Sequence, residues 1–410
     1  MAALLILIVL LAIAYQLHAP VIRMGKPLPS GKFEPQLVNA PDTGTGVLLA
    51  PDGSLWAWGE WSGWIAASFQ RPAISQVPCR VGSDSDWKQV AAGIQHIVAL
   101  KTDGSLWAWG LNFQGQVGQA ILNTNYDAPT RIGGETNWTK LSSSYYHNLA
   151  LKTDHSLWAW GCNSFGQLGD STTNNRSAPV MIGTDRDWQT IVAGGHSSYA
   201  LKTNGTLWGW GADFSTTTLA PRQISPGTNW LAISADDANL LVALKTDGTL
   251  WLRGRRFNLL ATHLDTGGVD ALTRVGMESD WCEVYGGQDS FFARKKDGKW
   301  WVCGLNTARQ LGVGEIDAWV PSPKPLYFDF EPWSFAPGDG TTLLLTKDGK
   351  LWTWGRRWGA ERSRVTLPPL LRRFRLLNSL FQSGIDRTPH LLWELPPEVR
   401  SSPEKKIIKD

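Results

Sequence analysis

An eight-residue core recurs seven times along this chain, and that recurrence limits the possible folds more than any other feature. It reads Asp52-Gly-Ser-Leu-Trp-Ala-Trp-Gly59 and begins again at Asp103, Asp154, Asn204, Asp247, Asp297 and Asp348, at spacings of 51, 51, 50, 43, 50 and 51 residues. A second tryptophan precedes six of the cores: Trp87, Trp138, Trp188, Trp230, Trp281 and Trp333. Two markers in one phase define a structural repeat of about 50 residues. Nineteen of the 24 tryptophans belong to these two settings.

Each unit reads as β structure. In Ala99-Leu-Lys-Thr-Asp-Gly-Ser-Leu-Trp-Ala-Trp-Gly110 two short apolar runs flank an Asp-Gly pair, a strong hairpin signal because Gly supplies the positive φ of a tight turn. Trp87 to Gly93 reads as a further strand and Asn112 to Gly118 as a loop. No helical period is sustained over the repeats. Strands apolar on both faces belong to sheets covered on both sides. An open array of such units needs polar caps and leaves sheet edges exposed, and no degenerate capping unit is present. Closure into a ring removes the problem. The expected fold is all-β, a seven-bladed β-propeller over residues 36–400, preceded by a short N-terminal apolar helix.

Composition excludes several other classes. The chain has 410 residues, 42% hydrophobic and 18% charged, with 42 Gly and 23 Pro throughout. That mixture rules out a disordered chain and a long coiled coil. A net charge of +3 gives no reason to expect a specific nucleic-acid partner. Four cysteines, Cys79, Cys162, Cys282 and Cys303, do not make a disulfide framework. No Cys-x-x-Cys or His-x-x-x-His spacing exists, so no metal and no cofactor is expected.

The core octapeptide, the loop Asn163-Ser-Phe-Gly-Gln-Leu-Gly169 and the Ala-Gly-x-x-His stretch from Ala92 to His96 together resemble the repeat of the regulator of chromosome condensation family. The resemblance implies a bacterial-type seven-bladed propeller that works as a binding platform. The family includes exchange factors for small GTPases and propellers that inhibit β-lactamases. The Gly-Gln-Leu-Gly loop is intact or nearly so only in units two, three and six, at Gly115–Gly118, Gly166–Gly169 and Arg309–Gly312. Nothing resembles the insertion that exchange factors push against a GTPase, so no exchange-factor residue is carried across.

The two ends differ from the repeats. Ala2 to Ala14 is an unbroken apolar run, extending to Leu17 if Tyr15 and Gln16 are admitted. This is shorter than the roughly 17–25 residues of a spanning helix and matches the core of a signal peptide. Arg23, Lys26 and Lys32 follow the run and no basic residue precedes it, which by the positive-inside rule favours the cytoplasm. Residues 1–18 are read as a signal peptide or membrane anchor and 19–35 as a linker, with the propeller membrane-anchored or exported on the extracytoplasmic side. Near the other end, Leu370, Leu371, Phe374 and Leu377 fall at helix-like spacings among arginines, suggesting a basic amphipathic helix over 369–381. Alternatively, part of 365–400 supplies the strand that closes blade one, whose unit lacks the leading Trp. Residues 401–410 read as a mobile tail.

Candidate functional residues fall into two groups. The first is polar. His96 and His147 share a repeat position, His196 is shifted by one, and Asp237 occupies a glycine position beside Asp236. These are either structural or part of a polar lining of the central channel. Paired acids suit acid–base chemistry, but no nucleophile or positioned base accompanies them. The second group is aromatic. Phe113, Phe214, Phe257 and Trp358 sit three residues after the Trp-Gly glycine, Phe165 is displaced by one, and Trp61 and Trp64 occupy the matching loop of blade one. Equivalent propeller loops emerge on one face, so these rings either tuck against the next blade or form a docking face. Arg255, Arg256, Arg356 and Arg357 lie beside them and favour an acidic partner. The expectation is a non-enzymatic, monomeric platform that binds another protein on this face.

Overall fold

Each hairpin is set by its own turn. Asp52 Oδ1 accepts the Ser54 N–H at 2.9 Å and the Ser54 hydroxyl at 2.6 Å, and Ser54 Oγ accepts the Trp56 indole N–H at 2.8 Å. The same relay joins Asp103, Ser105 and Trp107, and also Asn204, Thr206 and Trp208. The turn glycine is obligatory at Gly104, where φ is +79° and a β carbon would lie 2.2 Å from the Thr136 carbonyl oxygen. Lys299 and Lys350 replace the hydroxyl in units six and seven. There the buried indole nitrogens of Trp301 and Trp352 have no hydrogen-bond partner.

The computed structural model describes residues 34–41, 45–60, 74–212, 217–236, 240–254, 271–313, 318–347, 349–356 and 385–394. Among the described residues, 28 strands, β1 to β28 in chain order, form seven four-stranded antiparallel sheets and there is no helix. Each sheet uses four consecutive strands. In blade two these are β5 (Trp87–Ala92), β6 (His96–Lys101), β7 (Leu106–Leu111) and β8 (Asn125–Ile132). Second strands are buried on both sides, as in β10 (His147–Lys152), because each blade is covered by two neighbours.

The first strands line up around the axis: β1 (Gln36–Ala40), β5, β9 (Trp138–Ser144), β13 (Trp188–Ala193), β17 (Trp230–Ala235), β21 (Trp281–Gly287) and β25 (Pro332–Pro337). Each touches the next, and β1 touches β25, so the ring is closed. Side chains stitch it. Gln89 Nε2 donates to the Leu141 carbonyl at 3.0 Å while its Oε1 accepts the Leu141 N–H at 3.1 Å, and Asn39 Nδ2 donates to the Thr341 carbonyl at 3.1 Å. The apolar core is divided into seven clusters, each shared by two adjoining blades. The cluster that seals the ring joins Leu37, Leu48 and Trp58 to Leu343, Leu345 and Leu351.

Two sequence readings change. The strand β28 (Ile385–Glu394) pairs with β27 (Lys350–Arg356) as the outer strand of blade seven, so the 365–400 region does not close blade one. Blade one takes its innermost strand from Gln36–Ala40, with no leading Trp. Trp333 is also out of phase. Pro332 pairs with Thr346 at the position where Trp87 pairs with Lys101. The apolar segment 1–18, most of the 19–35 linker, the stretch 369–381 and the tail 401–410 lie outside the described residues.

The hairpin end of blades two to six carries a feature that the motif search passed over. A lysine two residues before the turn Asp or Asn places its ammonium over two indoles. Lys101 Nζ is 4.9 and 4.8 Å from the Trp87 and Trp107 ring centroids, and Lys202 Nζ is 4.7 and 4.5 Å from those of Trp188 and Trp208. Burial works against the charge of both lysines, and two aspartates beside each outweigh it, leaving their pKa values above the usual lysine range. The signal was present in the sequence as a recurring Leu-Lys before the turn.

Candidate functional site

The loops that follow the third strand of blades two, three and six share one internal scaffold. Asn112 Oδ1 accepts the Val117 N–H at 3.0 Å, Asn163 Oδ1 the Leu168 N–H at 2.9 Å and Asn306 Oδ1 the Leu311 N–H at 3.1 Å. Each loop then reaches the next blade. The carbonyls of Gln116, Gln167 and Gln310 accept the indole N–H of Trp160, Trp210 and Trp354 at 3.1, 2.9 and 2.7 Å. Gly169 is required for this approach: φ is +80° and a β carbon would sit 2.7 Å from Trp210 Nε1. Where the preceding unit lacks the loop motif, the tryptophan position holds Arg253 or Cys303, or keeps Trp58 or Trp109, and the Trp109 indole nitrogen is buried without a hydrogen-bond partner.

On this scaffold the aromatic residues point outward. Phe113 is 48% exposed and Phe165 is 42% exposed, and beside them Ile121 and Leu122 are 70% and 44% exposed. Phe165 also leans on the next blade, its ring 4.4 Å from that of His196, which lies 5.4 Å from Tyr145. Both sequence readings therefore describe Phe165: it touches its neighbour and keeps a free face. Ile121 and Leu122 went unnoticed, although an adjacent apolar pair inside a polar loop is a visible signal. Trp61, Trp64, Phe214, Phe257, Trp358, Arg255, Arg256 and Arg357 lie outside the described residues, and of Arg356 only the backbone is described.

The buried polar candidates join neighbouring blades. His96 is buried and bonds through Nε2 to Asn148 Oδ1 of the next blade at 2.8 Å, and His147 repeats this with Ser198 Oγ at 3.0 Å. Burial pushes the His96 pKa down to about 4 against the partial offset of Asn148, and pushes His147 down to about 3 with help from the charges of His196 and His96. His196 keeps some exposure and its pKa is also lowered by burial. Asp236 is buried and ties two blades, its Oδ1 accepting the Leu240 N–H and its Oδ2 the Asp289 N–H, both at 2.7 Å. Both of its oxygens are thus engaged by backbone N–H groups. Asp237 lies outside the described residues. Among the described residues no cluster of His, Cys, Asp and Glu is arranged to hold a metal ion, and no helix is long and apolar enough to cross a membrane.

Residues 103–151 and 154–201 match the family described as regulator of chromosome condensation (RCC1) repeat. The match to the RCC1 repeat covers these two stretches of the chain. The ultraviolet-B receptor UVR8 of Arabidopsis thaliana is 30% identical to it over 127 residues, 30% of this chain and 28% of the receptor. The probable E3 ubiquitin-protein ligase HERC6 of Homo sapiens is 34% identical over 82 residues, 20% of this chain and 8% of the ligase. The chain thus matches less than a third of the length of these relatives. Yeast RCC1 (Prp20), solved bound to Kap60, superposes with a TM-score of 0.67 at 17% identity over 90% of both chains. Human WBSCR16 does so at 0.63 and 18% identity, over 76% of this chain and 87% of its own. At these identities the two solved structures show a shared propeller fold alone.

Proposed function

We propose that this RCC1-like propeller is a non-catalytic platform that binds another protein on its loop face. The observation that carries the reading is the exposure of four large apolar side chains, Phe113, Ile121, Leu122 and Phe165, on the loops of adjacent blades. Contiguous exposed apolar surface marks interaction sites, and each ring in a well-packed contact contributes ~1–2 kcal/mol. By repeat position in the sequence we extend the proposal to Trp61, Trp64, Phe214, Phe257 and Trp358, with Arg255, Arg256, Arg356 and Arg357 favouring an acidic partner. The fold neighbour Prp20p of Saccharomyces cerevisiae binds Gsp1p and histones, which supports a protein as the class of partner. Exchange on a small GTPase and inhibition of a β-lactamase are special cases of the same mode of action. We place the propeller on the extracytoplasmic side of a membrane, tethered by residues 1–18.

Capture of partners by the full chain, compared with a Phe113→Ala/Phe165→Ala variant, tests the reading. The variant is expected to lose the partner with its melting temperature nearly unchanged. Retention of the same partners by the variant moves the docking site elsewhere. Guanine-nucleotide release and β-lactamase inhibition assays separate the special cases, and protease accessibility in intact cells tests the side of the membrane.

A further inference from the structure

The opposite, hairpin end of the propeller carries five copies of one charged seat, and one copy is incomplete. In four of them the lysine between its two indoles is met by a carboxylate from the segment leading into the first strand. Lys101 Nζ lies 2.8 Å from Asp84 and 3.1 Å from Asp86, Lys152 Nζ 2.7 Å from Glu135, and Lys202 Nζ 2.5 Å from Asp185 and 3.0 Å from Asp187. Lys295 Nζ lies 3.2 Å from Asp280. The acids stand one and three residues before the leading Trp. In blade five those two positions are Asn229 and Gly227.

The rest of the blade-five seat is intact. Lys245 Nζ is 4.7 Å from the Trp230 ring centroid and 4.5 Å from that of Trp251, and the two indoles meet edge to face at 6.1 Å. A β carbon at Gly227 would lie 3.9 Å from Lys245 Nζ and 3.1 Å from Asn229 Oδ1, so the two positions from which other blades supply a carboxylate adjoin the ammonium and here hold only an amide and a glycine. The acid nearest in sequence, Asp247, is committed to its own turn, where Oδ1 accepts the Thr249 N–H at 2.9 Å and the Thr249 hydroxyl at 2.6 Å. Arg274, on the strand beside Trp251, adds a second positive charge to this blade.

We propose that the seat of Lys245, Trp230 and Trp251 is a carboxylate-binding site, completed by an aspartate or glutamate side chain of a partner protein. Four internal copies specify the chemistry: a carboxylate within hydrogen-bond reach of an ammonium held between two indoles. The site is independent of the loop face, at the other end of the strands.

The test uses the full chain labelled with 15N at its indoles, the Trp230 and Trp251 signals being assigned through Trp→Phe variants. The probe is a blocked Gly-Asp-Gly peptide, with Gly-Asn-Gly and acetate as controls. The expected result is a saturable shift of both indole signals with the Asp peptide and none with the Asn peptide. Asn229→Asp, an isosteric change that supplies the carboxylate from within as Asp187 and Asp280 do, is expected to weaken the peptide at least tenfold while leaving the fold intact. Lys245→Met is expected to abolish the shift. Equal response to the Asn peptide, or undiminished binding in Asn229→Asp, overturns the site. Acetate binding as tightly as the Asp peptide overturns the assignment to a protein side chain.

Discussion

His96 and His147 illustrate how a repeated polar residue can be a joint between blades. Each sends Nε2 to the following blade and is held neutral by burial. A base whose folded pKa lies below its unfolded 6.5 contributes stability that is full above that value and is lost as pH falls toward about 4 for His96 and about 3 for His147. Each costs up to roughly 1.4 kcal/mol per pH unit inside its window. Denaturant midpoints are therefore expected to drop steadily on acidification below about pH 6.5, with a shallower slope in His147→Gln. Turn carboxylates such as Asp103 are held below 3.8 by the hydroxyl and amide of Ser105, so their own loss begins beneath most of this window. A slope that is identical in wild type and variant would remove His147 from the account.

At the scale of elements, the loop of one unit and the third-strand tryptophan of the next form a single device. Trp160→Phe breaks the bond to the Gln116 carbonyl, whereas Trp109→Phe removes an indole nitrogen that has no partner. The first substitution is expected to cost about 1 kcal/mol more than the second in chemical unfolding. Equal costs would mean that the inter-blade bond contributes nothing. This device also marks the boundary of what the chain disclosed unaided. Asp-Gly-Ser turns, strand order and blade number were legible, because their partners lie within a few residues or recur in phase. The loss of tryptophan at Arg253 and Cys303 was visible, yet the loop that would meet an indole there lies one unit upstream and its contact crosses between blades. Phe113 and Phe165 were legible as a pattern, but the exposure of Ile121 and Leu122 depends on how the loop is carried. Trp333 misled because composition matched while the register belonged to Pro332.

For the whole molecule, the seam between blades one and seven is held, among the described residues, by packed side chains and by Asn39 bonding to backbone carbonyls. Leu48 lies fully buried in the cluster shared by the first and last blades. Leu48→Ala is expected to cost ~2–5 kcal/mol, with the cavity falling at the seam. Limited proteolysis should then cut first near blades one and seven. Cleavage distributed evenly around the ring would show that the seam is no weaker than the other six boundaries.

That seam also imposes a schedule. Asn39 bonds to Thr341, which is made 302 residues later. At the ribosome's ~5–20 residues per second, blade one waits roughly 15–60 s for its last neighbour. Throughout that interval Leu37, Leu48 and Trp58 present to the cell a face whose permanent cover has not yet been synthesised. The nascent chain is therefore most vulnerable just before completion, when six finished blades curve around a gap and the oldest surface is still bare. Slow translation of the last unit would lengthen that exposure, and a chaperone serving this protein would be needed at its beginning rather than at its end.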